Sequence, residues 1–109
     1  MEKKDLDWSG LGFGYRQTDK RYVTNFKDGA WDNGVLTEDA NIVLNECAGV
    51  LQYAQTCFEG LKAYTTQDGK TVVFRPDLNE QRMHDSCVRL EMPTLPAGRF
   101  VEAVRQVVK

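Results

Sequence analysis

Residues 53–83 read YAQTCFEGLKAYTTQDGKTVVFRPDLNEQRM, from Tyr53 to Met83. Leu61 to Thr65 alternates apolar and polar side chains, Asp68-Gly69 is a strong turn signal, and Thr71 to Phe74 returns, which predicts a β-hairpin. Pro76 blocks the strand from continuing. Asp77 with Glu80 three residues on resembles a capping box, so a helix is expected from Asp77 to about Glu91. Its buried side should carry Leu78, Met83, Cys87 and Leu90, with Arg82, Ser86 and Arg89 bordering that stripe and Asp85–Arg89 forming an i,i+4 pair. Ahead of the hairpin, Tyr53, Cys57 and Phe58 recur at helical spacing, suggesting one or two helical turns stopped by Gly60.

Upstream, residues 1–18 are polar and glycine-rich and read as irregular, with Phe13 an anchor packed on the domain. Gly10, Gly12 and Gly14 neither follow a strand nor open a helix, so they make no phosphate loop. Arg21 to Lys27, the Asp28-Gly29 turn and Ala30-Trp31 form a second hairpin, with Asn33-Gly34 as a further turn. Asn41 to Leu44 is short, β-branched and apolar, a strand by composition. Glu46 to Gly49 reads as a loop. Downstream, Pro93 and Pro96 mark a loop. Phe100, Val101, Val104, Val107 and Val108 then give a final amphipathic helix from Ala97 or Gly98. The fold class expected is α+β: an antiparallel sheet of hairpins with flanking helices.

At 109 residues the chain is at most one domain. A net charge of -2 from interleaved acidic and basic residues gives no reason to expect nucleic acid or an anionic membrane as partner. No apolar run approaches membrane-spanning length, and the N-terminus lacks a signal-peptide pattern. Cys47, Cys57 and Cys87 are widely spaced and have one histidine, His84, for company, so they read as free thiols in a reducing, cytoplasmic setting, with no metal site. The helix leaves Arg82 at a half-buried position. An always-charged guanidinium there wants an anion, either a protein carboxylate or a ligand phosphate. Glu59 reads as a cap or the partner of a lysine. Lys62, in a strand among apolar neighbours, is the desolvated type that reacts with carbonyls, although alternation along the strand explains it equally well. His84 reads as an exposed, idle side chain. No catalytic set is visible.

Tyr53 with Phe58-Glu59-Gly60, Leu61-Lys62-Ala63-Tyr64, the Asp68-Gly69 turn, Phe74-Arg75-Pro76, Asn79-x-x-Arg82-Met83, Ser86, Arg89 and Met92-Pro93 together resemble the N-terminal domain of branched-chain amino acid aminotransferases. These are fold-type IV, pyridoxal-phosphate enzymes. Gly12-Phe13-Gly14 and the 22–36 hairpin fit the same opening, so the resemblance covers nearly the whole chain. It implies that Arg82 contacts the 5′-phosphate of pyridoxal phosphate. Phe13, Tyr53 and Phe58 then line the pocket for a leucine, isoleucine or valine side chain, with 2-oxoglutarate as amino acceptor. Lys62 does not match the family's cofactor-linking lysine, which lies in a larger C-terminal domain.

Residues 1–109 therefore read as a partial N-terminal small domain with no catalytic residue of its own, from an enzyme expected to be a homodimer. The helix still amphipathic at Lys109 points the same way. The missing domain should leave Tyr53, Phe58 and part of the final helix uncovered. Two other readings share these residues: a D-amino-acid transaminase or aminodeoxychorismate lyase of the same fold type, and a stand-alone binding module. Incubated with pyridoxal phosphate, leucine and 2-oxoglutarate, the 109-residue chain is expected to form no glutamate.

Overall fold

A computed structural model describes residues 4–109, and its two hairpins fall where the Asp-Gly pairs put them. Strands β1 (Arg21–Val23), β2 (Phe26–Lys27), β3 (Ala30–Trp31) and β4 (Val35–Thr37) make one antiparallel ribbon, β2 pairing with β3 and β1 with β4. Asp28 (φ 53°) and Gly29 (φ 80°) both adopt left-handed backbone, as a two-residue type I′ turn requires. Val23 faces Val35 while Phe26 faces Trp31, so β3–β4 carries one residue more than β1–β2 over this stretch, a β-bulge. Asp32 fills the bulge. Its carboxylate accepts from Thr24 Oγ1 at 2.7 Å and from the backbone N–H groups of Asn25 at 3.1 Å and Gly34 at 2.9 Å. Gly34 is required here twice over: its φ is 72°, and a Cβ would come within 2.0 Å of the Tyr22 hydroxyl.

After the short helix α1 (Gly49–Tyr53), strands β5 (Ala63–Thr65) and β6 (Thr71–Val73) form the second hairpin. Thr66 N–H donates to Lys70 O at 2.8 Å across a loop in which Gly69 carries φ 83°. Helices α2 (Pro76–Arg89) and α3 (Arg99–Val108) follow. Polar ties join the ribbon, α2 and α3. Trp31 Nε1 donates to Thr94 O at 2.8 Å, Arg99 Nη1 donates to Asp32 O at 2.7 Å, and Phe100 N–H donates to Glu80 Oε1 at 3.2 Å. The chain thus has the expected α+β class, built from antiparallel strand pairs and three α-helices among the described residues.

Several expectations are corrected. Asn41–Leu44 forms no strand; Val43 is 96% exposed, and no strand lies alongside to supply a ladder. The helical turn lies at Gly49–Tyr53 rather than 53–60, and it ends on Ala54 in left-handed backbone, not on Gly60. The strand does end before Pro76, but Pro76 is itself the first residue of α2, because a fixed φ and a missing N–H cost nothing at that position. Asp77 lies inside the first turn rather than at the cap and holds Arg75 by Nε at 3.0 Å and Nη2 at 2.8 Å, while Glu80 serves the start of α3. Asp85 accepts from Gln81 Nε2 at 3.0 Å instead of pairing with Arg89. Leu78 and Leu90 are exposed, and Phe13 is an exposed side chain rather than a packed anchor.

Cys87, 6% exposed, is the one buried apolar residue among those described, and the apolar stripe of α3 is only half-buried. The chain exposes 9327 Å². A folded monomer of this mass exposes roughly 6,100 Å². Polar ties therefore carry much of the tertiary structure.

Asp32 is the most heavily bonded carboxylate of the ribbon, and those bonds hold its pKa at about 2 against an ordinary 3.8. A depressed acid contributes stability that is complete above its unfolded pKa and disappears as pH falls through the folded one. The ribbon is expected to keep its structure down to pH of about 4 and to lose the Asp32 contribution as pH falls through about 2. The Gly34 amide resonance followed against pH should report it, and Asp32→Asn should abolish that step.

Candidate functional site

The site is built where segment 55–60 lies along α2. Gln55, Cys57 and Glu59 alternate in the chain, and all three reach the helix. Gln55 Nε2 donates to Leu90 O at 2.9 Å, and the Cys57 thiol donates to Met83 Sδ at 3.4 Å. Glu59 accepts from Asn79 Nδ2 at 2.8 Å and from Arg82 Nη2 at 2.9 Å, with Arg82 Nε closing the second arm of the fork. The segment thus runs antiparallel to the helix. Four residues of extended chain cover about 13 Å and eleven of helix about 16 Å, so the two run in step. This alternation explains Phe58. With Cys57 and Glu59 turned toward α2, Phe58 points away and is 90% exposed.

Arg82 is not half-buried as its place beside the apolar stripe suggested; its side chain is 68% exposed, while that of Glu59 is only 5% exposed. The buried partner is the acid. The Arg82 fork and the Asn79 amide hold the Glu59 carboxyl well below its ordinary value of 4.5, at about 2, and the same pairing raises Arg82 further. Asn79 Nδ2 also donates to Gly60 O at 3.1 Å, fixing the segment's backbone. The lysine expected beside Glu59 is therefore Arg82, and Lys62 sits just ahead of β5.

On the outer side of Arg82 lies an open cavity of about 300 Å³ lined by Phe74, Arg75, Leu78, Asn79 and Arg82. Each guanidinium there spends Nε and Nη2 on a carboxylate, and among the described residues no hydrogen bond engages Nη1 of either. A second cavity of about 300 Å³ between α2 and the chain leading into α3 is lined by Glu80, Met83, His84, Cys87 and Phe100 among others. Tyr53 is 87% exposed at the end of α1, and Phe13 is wholly exposed. The three aromatic candidates thus present bare rings from three segments, enclosing no pocket by themselves. Among the described residues no cluster of three or more His, Cys, Asp or Glu is placed to hold a metal ion, and no helix is long and apolar enough to cross a membrane.

The sequence singled out Arg82 but missed its partners. Asn79 and Arg82, three apart, share a helix face, a signal that was readable; that Glu59 meets them is a tertiary fact. The pairing predicts a titration. Glu59 contributes stability that is complete above pH of about 4.5 and lost as pH falls through about 2. In Arg82→Ala the Glu59 carboxyl resonance should titrate at distinctly higher pH than in the parent, with Asn79 retaining part of the depression. A Glu59 midpoint near 4.5 in the parent would contradict the geometry.

No protein-family model matches the chain. Curated proteins match it along almost its full extent. It is 49% identical over 106 residues to a branched-chain-amino-acid aminotransferase of Haemophilus influenzae and 44% identical over 106 residues to one of Helicobacter pylori, covering 97% of this chain and 31% of the relative in both cases. To the mitochondrial branched-chain-amino-acid aminotransferase 1 of Arabidopsis thaliana it is 41% identical over 108 residues, 98% of this chain and 28% of the relative. The chain spans less than a third of the length of these relatives. By sequence, the chain is similar over nearly its whole length to part of the branched-chain-amino-acid aminotransferases.

Proposed function

We propose that the chain is the N-terminal small-domain portion of a pyridoxal-phosphate-dependent aminotransferase that moves the amino group of leucine, isoleucine or valine to 2-oxoglutarate. The observation that carries this reading is the 49% identity to a relative of that name across 97% of the chain. The motifs quoted from Tyr53 to Pro93 supply its residue-level content. Bare aromatic rings and an exposed surface well above that of a compact monomer support a role as one wall of a larger assembly.

Within that reading Arg82 is the cofactor-phosphate ligand. The fit is partial and specific. Arg82 lines an open cavity beside a second guanidinium, Arg75, and its Nη1 is available while Nε and Nη2 are fixed by Glu59. A fork anchored on one edge presents its remaining N–H groups in a set direction, which suits an oxyanion. When bound, pyridoxal phosphate supplies the electron sink for the exchange of the amino group. Phe13, Tyr53 and Phe58 bury the aliphatic side chain once a facing domain closes over them. A wall of this kind separates substrates by only about 1–3 kcal/mol per methylene, so all three branched-chain amino acids should be accepted. The cofactor-linking lysine and the rest of the phosphate site are assigned to a C-terminal domain, with a homodimer as the working assembly and the cytoplasm as its place.

Titration of the full-length protein with pyridoxal phosphate tests the Arg82 role. Loss of a charge-assisted phosphate contact worth about 1.5–3 kcal/mol should make Arg82→Ala retain the cofactor roughly 10- to 150-fold more weakly. Unchanged retention would leave Arg82 with the Glu59 pairing alone.

A further inference from the structure

The segment 55–60 and α2 bring together sulfur atoms that the transamination reading does not use. Cys57 Sγ lies 4.0 Å from Cys87 Sγ and donates its thiol hydrogen to Met83 Sδ at 3.4 Å. The two thiols differ in access. Cys57 is half-buried on an extended segment, whereas Cys87 is 6% exposed inside α2. Burial and the neighbouring Cys57 push the Cys87 thiol up, so Cys57 is the group that meets a reagent from solvent first. The third cysteine, Cys47, is exposed and in a different segment.

We propose that Cys57 and Cys87 are a redox pair: a peroxide oxidises them reversibly to an intrachain disulfide that staples the 55–60 segment to α2. The step balances with hydrogen peroxide as the oxidant. The Cys57 thiolate attacks one peroxide oxygen, forming a sulfenic acid as the O–O bond breaks and water leaves. The Cys87 thiolate then attacks the Cys57 sulfur, forming the S–S bond and releasing a second water. Two thiols are oxidised, one peroxide is reduced, and both thiol protons end in water. Bond formation needs the sulfurs to close from 4.0 Å to about 2 Å. Cys57 makes the larger share of that movement, because it lies in a segment outside any helix or strand, whereas Cys87 is held within the hydrogen-bonded turns of α2. A small peroxide reaches Cys57, and the buried Cys87 resolves the sulfenic acid before it oxidises further. The staple would fix the residue next to Phe58, two before Glu59, independently of whether Arg82 meets a phosphate.

The test uses the protein at its native length, treated with an equimolar amount of hydrogen peroxide and then alkylated after unfolding. Within this stretch free thiols should fall from three to one, with Cys47 alkylated and one linked peptide pair carrying Cys57 and Cys87; dithiothreitol should restore all three. In Cys87→Ser the Cys57 sulfenic acid should persist and be trapped by dimedone, while Cys47→Ser should leave the linked pair at full yield. Three alkylated cysteines after peroxide treatment, a linkage through Cys47, or Cys57 recovered only as sulfinic acid in the unsubstituted protein would overturn the proposal.

Discussion

The Glu59 carboxylate is the constraint on which the site depends. With Cys87 the one buried apolar residue among those described, hydrophobic burial alone does not hold segment 55–60 against α2. Glu59 does, by placing an ionised carboxylate almost out of solvent between Asn79 and the Arg82 fork. A charge in that position is tolerable only when every lone pair finds a donor. Asn79, Arg82 and the segment backbone must therefore arrive together. Remove either donor and the buried acid keeps only part of its compensation, a larger loss than that of an exposed ion pair.

This reverses the logic by which the sequence pointed to Arg82. From sequence alone, the arginine is the costly buried charge in search of an anion. In the structure the acid is the buried partner, and the arginine reaches in from solvent. Arg82 consequently has two faces: one edge of the fork is structural, the other is open to the cavity with Phe74 and Arg75. A group held rigidly by one edge loses little freedom when the other edge meets a ligand. The proposed phosphate contact and the structural ion pair are thus compatible uses of the same side chain, with the second preparing the first.

What was legible in the sequence follows from how local its cause is. Asp28-Gly29 and Asp68-Gly69 announce their hairpins because turn chemistry is written in adjacent residues. The valine stripe of α3 is likewise a short-range pattern. Helix caps carry no mark in the sequence where the backbone does what glycine usually does without using glycine. Ala54 and Glu91 take left-handed φ of 51° and 57° at the ends of α1 and α2, and Arg75 takes 45° just before α2. Met92 N–H still reaches Cys87 O at 2.8 Å and Glu91 N–H reaches Val88 O at 3.2 Å, the hydrogen bonds of a Schellman cap. No composition signal marks such a cap when a glutamate occupies it.

The misplaced helix at 53–60 had a cost beyond its boundaries. Helical spacing would set Cys57 and Phe58 on adjoining parts of one face. Extended backbone sets them on opposite faces, and that difference separates two functions that the sequence left merged. The inner series of Gln55, Cys57 and Glu59 locks to α2, while Phe58 stands clear at 90% exposure. An aromatic side chain held out on a locked, extended segment pays little entropy to bind, and it gains its apolar contact only when another surface covers it. The period of the backbone, rather than the identity of any one residue, decides which side chains hold the fold and which stand exposed.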